Sequence, residues 1–154
     1  MLLSDAAASR SLALRPLSRD SDVLTVEAIA ADGDRRWRLV GPLLHVEEAA
    51  ELGAWLAGLP GDLTLGADEW TTLTFASAAL SLAARRVPGG VVEFRVAVLG
   101  MAAAGGAVPE TGSEQADAAP PPRSTDVVLG LSLPPAAVER AAVALVSETA
   151  ALRA

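Results

Sequence analysis

Apolar side chains recur at every second position in segment after segment of this chain. Between Asp22 and Ala31, Leu24, Val26, Ala28 and Ala30 share one side, and Thr25 and Glu27 point the other way. From Val91 to Leu99, Val92, Phe94, Val96 and Val98 alternate with outward Glu93 and Arg95. From Thr125 to Leu133, Val127, Leu129, Leu131 and Leu133 do the same, and Leu12 and Leu14 repeat the pattern within Ser11 to Leu17. Successive Cβ atoms of an extended chain point to opposite faces, so this period predicts half-buried strands. Thr71 to Ala76 and Ala79 to Val87 read as further strands, the second with Leu80, Leu82 and Ala84 on one face.

Turn chemistry punctuates these runs. Asp32-Gly33 favours a tight hairpin because glycine accepts positive φ. The strand after it carries Arg36 and Arg38 on one face and Trp37 and Leu39 on the other, and Gly41-Pro42 breaks or bends it. Pro88-Gly89-Gly90 makes an antiparallel hairpin of the strands on either side.

Two segments switch to the helical period. Over Val46 to Leu59, Leu52, Trp55, Leu56 and Leu59 stand at i, i+3, i+4 and i+7, and Glu47, Glu48 and Glu51 crowd the start, where the helix dipole favours anions. Pro60-Gly61 stops it. Pro134-Pro135 opens a terminal helix whose stripe is Val138, Ala142, Leu145, Thr149 and Leu152. Residues 100–124 have no period and are rich in Ala, Gly and Pro, which reads as a long mobile loop inserted between two strands. No strand–helix–strand alternation of the parallel type appears. The expected fold is α+β: residues 1–154 as a single domain, with one twisted, mostly antiparallel sheet of six to seven strands and two amphipathic helices covering one face. No internal repeat is visible in the residues.

Composition then narrows the chemistry. A chain of 154 residues is long enough to bury a core without a staple. Cysteine is absent, which excludes disulfides, thiolate nucleophiles and cysteine-ligated zinc. Lysine, asparagine and tyrosine are absent too, as codon usage in a GC-rich genome would produce. The net charge of −7 argues against nucleic acid and against an anionic membrane, since both need a basic face. No apolar run reaches the ~18 residues of a membrane span, and Asp5 interrupts any signal-peptide core. The expected location is cytoplasmic.

No catalytic set assembles. His45 is the only histidine, and Glu47 and Glu51 lie at i, i+4 beside it, a spacing that can bind a hard cation. Helix starts collect acids for capping and dipole reasons, and we read these residues that way; no metal and no cofactor are expected. Asp68 and Glu69 adjoin Trp70, but neighbours on an extended segment point apart and cannot act as paired carboxylates. No nucleophile elbow, phosphate loop or dinucleotide fingerprint occurs. Arg35, Arg36 and Arg38 form a basic cluster; Arg36 and Arg38 can grip an anion, but charges on an edge strand also block unwanted pairing, which is the reading we favour. Trp37 and Trp55 fall on buried faces, leaving Trp70 as the tryptophan to test for exposure at a binding surface.

The segments "MLLSD", "SLALRPLSRDSDVLTVEAIA", "VEEAAELGAWLAGL", "LSLAARRVPGGVVEFRVAVL" and "VVLGLSLPPAAVERAAVAL" together resemble the WapI-like immunity proteins and their relatives in GC-rich bacteria. The resemblance rests on element order and apolar positions across most of the chain, and the segment 100–124 is longer than the family pattern. It implies an α+β binder that neutralises a cognate toxin by occlusion. The expectation is therefore a non-enzymatic protein-binding domain. Glu47, Glu51, Asp68, Glu69 and Trp70 would meet a protein partner, such as a basic toxin domain, and Arg36 and Arg38 would form a separate basic patch. The alternatives are a structural or accessory subunit of a larger assembly, motivated by the Ala/Val flank around Val143 and Val146, and a small-ligand-binding domain.

Overall fold

The computed structural model describes residues 1–61, 69–103 and 125–152. The chain runs β1 (Leu2–Ser4), β2 (Arg10–Asp20), β3 (Val23–Asp32), β4 (Arg35–His45), α1 (Val46–Gly58), β5 (Thr71–Thr74), β6 (Leu80–Arg86), β7 (Val92–Ala103), β8 (Thr125–Leu133) and α2 (Pro135–Ala151). The fold is α+β with antiparallel strands, as the alternation requires. Its strands form two four-stranded antiparallel sheets, however, not one sheet of six to seven. β1 to β4 pair in sequence order as the first sheet, and β5 to β8 as the second. Among the described residues their strands pair only where the end of β7 reaches β4, through Trp37 opposite Ala103 and Arg38 opposite Ala102. Strand β8 lies against β1, β2 and β3.

Four strands and a helix thus occur twice in succession, a repeat that the residues themselves hide. The repeat extends to turn geometry. Ala8 and Ala78 hold positive φ values of 53° and 52° at the same place in the first turn of each unit. Their N–H groups donate to the carbonyls of Asp5 and Phe75, both at 3.0 Å. Side-chain identity is free to drift in such turns because the backbone bonds define them.

The buried faces follow the predicted periods closely. Leu24, Val26, Ala28 and Ala30 are fully buried in β3, and Val92, Phe94, Val96 and Val98 in β7. Gly33 and Asp34 make the two-residue turn between β3 and β4, with Gly33 at φ 59°. Gly41-Pro42 bends β4 without ending it. Leu24 pairs with Leu44 and Thr25 with Pro42, so Leu43 is an extra residue, and both leucines turn inward. A bulge is where a strand can hold a proline, because the ladder is already interrupted. Residues 100–103, assigned to the loop from composition, continue β7 instead; the rest of that loop lies outside the described residues.

The helices pack on each other, α2 also on β1 and β2, and α1 on β4. Helix α1 buries Ala49, Leu52, Gly53 and Leu56, and its Trp55 meets Phe94 edge to face at 6.2 Å. Helix α2 buries Val138, Ala141, Ala142 and Leu145, while Thr149 and Leu152 are half-buried. One hydrophobic cluster takes in residues from both sheets and both helices. Among the described residues, no helix is long and apolar enough to cross a membrane.

Candidate functional site

The amphipathic stripes of α1 and α2 send their largest apolar groups into the core, and what remains outside is small. Ala50, Ala54 and Ala57 of α1 face Val143, Val146 and Ala150 of α2 across a groove of about 570 Å³. The groove exists because the helices cross closely. A Cβ built on Gly53 would stand 2.7 Å from Val146 Cγ2, so only glycine permits this approach. Val143 is 68% exposed and Val146 51%, well above what a helix in a closed core shows. Glu47 and Glu51 are exposed on α1, each three residues before a groove alanine, and so flank its apolar lining. Arg19 lines one end and donates from Nε to the Ser21 carbonyl at 2.6 Å.

The start of α1 is built by Glu48. Its Oε2 accepts the His45 backbone N–H at 2.7 Å, and its Oε1 accepts the Ala76 N–H at 2.6 Å. One carboxylate thus caps the helix and ties it to the turn between β5 and β6. His45 itself is exposed at the N-cap. Among the described residues, no three His, Asp or Glu side chains gather as a metal site.

A second surface lies on the outer face of the second sheet. There Arg85 of β6 and Glu93 of β7 are cross-strand neighbours and pair at 2.7 Å. Trp70, just before β5, covers this face. The Arg85 guanidinium carbon is 4.9 Å from its ring centroid and that of Arg95 is 4.2 Å away. Cation–π contact of this kind holds both arginines near the sheet. With Arg10 and Ser132 they border a depression of about 250 Å³. Phe94, the residue between Glu93 and Arg95, points inward to Trp55 of α1, so this face is turned away from α1.

The residues singled out in the sequence therefore separate. Glu47 and Glu51 are exposed on α1 one turn from the groove alanines Ala50 and Ala54, outside the lining itself. Glu69 is exposed, whereas Trp70 is half-buried against two arginines and belongs to the sheet surface. Asp68 lies outside the described residues. Arg36 and Arg38 are exposed on β4, and Arg38 Nε donates to Glu27 Oε1 at 2.6 Å. The edge-strand reading fails at Arg38, because at Trp37 and Arg38 the strand is paired on both sides, with β3 and with β7; Arg36 is paired with Ala31 of β3, and among the described residues β7 does not reach it. Sequence reasoning missed Gly53, whose role depends on a helix crossing, and Arg85 with Arg95, whose role depends on where Trp70 folds. The outward positions of Glu93 and Arg95 were the available signal.

Away from both surfaces, the turn after β1 shapes one carboxyl. Desolvation raises the Asp5 pKa, but hydrogen bonding at Arg10 and Ser9 and the Arg10 charge together outweigh it and hold the group below the usual aspartate range. Ser9 supplies its N–H at 2.9 Å and its hydroxyl at 3.0 Å. Compared with protein-family models, with curated proteins and with solved structures, the chain matches none.

Proposed function

We propose that this chain is a non-enzymatic protein-binding domain of the immunity-protein type, which occludes a basic partner such as a toxin domain with the exposed face of its helix pair. The observation that carries this reading is an apolar groove open to solvent with carboxylates beside it. Val143 and Val146 supply contact area, and Glu47 and Glu51 supply charge. An apolar centre with a polar rim is the common anatomy of a docking surface. Apart from Arg19 at one end, the charges beside the lining are carboxylates in a chain of net charge −7, which steers it toward a cationic surface and away from other acidic proteins. The resemblance to WapI-like immunity proteins adds the same expectation from element order.

The test is affinity capture from the native host with the full chain, followed by calorimetry with the purified partner. The expected result is one basic protein recovered in stoichiometric amount, whose binding is lost with Val143→Arg/Val146→Arg and weakens with added salt. Glu47→Gln/Glu51→Gln slows association more than it changes dissociation. Identical capture by wild type and the double-arginine variant sinks the reading. A concentration-dependent dimer that the double-arginine variant abolishes, with no partner, supports the structural-subunit alternative instead.

A further inference from the structure

We infer that the outer face of the second sheet holds a carboxylate-binding site centred on Arg95. This goes beyond the helix-groove reading, because it uses another face and a ligand of opposite charge. The reasoning starts from the sheet. Directly across from Arg95 stand Ala83 on β6 and Gly130 on β8. Neither has a side chain that reaches a guanidinium, and a Cβ at Gly130 would meet nothing within 4 Å. Arg95 is exposed, and among the described residues its guanidinium lies over the face of Trp70 at 4.2 Å and pairs with no carboxylate. A guanidinium lying on an aromatic ring keeps its in-plane N–H fork available and has already lost much of its rotamer freedom.

The neighbouring pair indicates the ligand class. Arg85, over the same ring, is satisfied by the Glu93 carboxylate through both Nε and a terminal nitrogen at 2.7 Å. The Arg95 site repeats the guanidinium-on-tryptophan half of that arrangement without the acid. Arg10, at the border of the depression, is paired with Asp32 at 3.0 Å, so among the described residues that line it the uncompensated charge is that of Arg95. One cation in a chain of net charge −7 suits a single carboxylate; a polyanion would be repelled by the rest of the molecule. The Ser132 hydroxyl is exposed on β8 at the border of the same depression.

The experiment follows the arginine Nε–H resonances of the full chain by NMR during titration, with Arg95 assigned by its loss in Arg95→Gln. The probes are acetate, a short neutral peptide with a free C-terminal carboxylate, and the same peptide amidated, each against sodium chloride at equal ionic strength. The expected result is a saturable shift of the Arg95 signal with the carboxylate probes alone. Affinity should fall about tenfold or more in Arg95→Gln, and Gly130→Val should weaken binding by filling the space beside the guanidinium. Saturation by acetate marks a small-carboxylate site, and saturation by the free-acid peptide alone marks a chain terminus; either supports the site. A shift that chloride reproduces, no saturation with any probe, or unchanged affinity in Arg95→Gln overturns it. None of these outcomes depends on the helix groove, where Val143→Arg/Val146→Arg leaves the Arg95 titration unchanged.

Discussion

Gly53→Ala tests the helix crossing that shapes the groove, because two effects of known size oppose each other there. Alanine in place of glycine in a helix interior favours folding by about 1 kcal/mol. The new Cβ, however, would lie 2.7 Å from Val146 Cγ2, with Ala142 O next at an ordinary 3.9 Å. Val146 is β-branched and strongly prefers one rotamer in a helix, so it cannot simply swing aside. Overpacking of this sort costs about 1–3 kcal/mol, and the partial exposure of Val146 places this case near the middle, at about 2 kcal/mol. The net expectation is a loss of about 1 kcal/mol in Gly53→Ala. In a Val146→Ala background the clash is gone and the same substitution should gain about 1 kcal/mol. The coupling energy in the double-mutant cycle is then about 2 kcal/mol, measured by urea unfolding under far-UV circular dichroism with m held equal. A coupling below about 0.5 kcal/mol would mean that the helices do not cross at this contact, and the origin assigned to the groove would be wrong.

Phe94→Ala should cost about 3–5 kcal/mol by opening a cavity beneath Trp55, seen as a lower urea midpoint; a loss under about 1 kcal/mol would contradict its place in the core. Glu48→Ala should cost about 1 kcal/mol, since both N–H groups it holds are exposed and water replaces it in part, and the Ala76 amide should exchange faster. Ala8→Gly and Ala78→Gly relieve a left-handed backbone in equivalent turns and should each raise stability by about 0.5 kcal/mol after the entropy of glycine is subtracted; destabilisation at both would refute the turn assignment. Asp5 has a depressed folded pKa, so its contribution is present above the unfolded aspartate value and is lost as pH falls through the folded one. Below the usual aspartate range, the Ser9 amide resonance should therefore report the loss of its bond, and an Asp5 titration at or above the usual range would contradict the geometry.

How much of this was legible in the chain differs between faces and partners. Every residue placed inward on the strands at 23–32 and 92–98 is buried, because alternation is a property of one strand and needs no knowledge of its neighbours. In the helical stripe of α1, Leu52, Leu56 and Leu59 are buried and Trp55 is half-buried. Pairing is different. Nothing in the residues of β4 or β7 says that they meet over two positions and then diverge, which is what turns one expected sheet into two. The acidic residues beside the groove were visible, but the groove itself was not, since Gly53 reads in sequence only as a weak point of a helix.

By itself the sequence determined which of the strongly periodic segments extend, which coil and which side of each is apolar, because these depend on period and turn chemistry within a dozen residues; the short β1 and residues 100–103 of β7 carry no such period and were not legible. Tertiary structure alone decided the division into two sheets, the close helix crossing at Gly53 and Val146, and the stacking of Arg85 and Arg95 on Trp70. Each of these is set by contacts between residues far apart in the chain. The free energy that selects among such pairings belongs to the packed whole, and a strand's own pattern is equally satisfied by several partners.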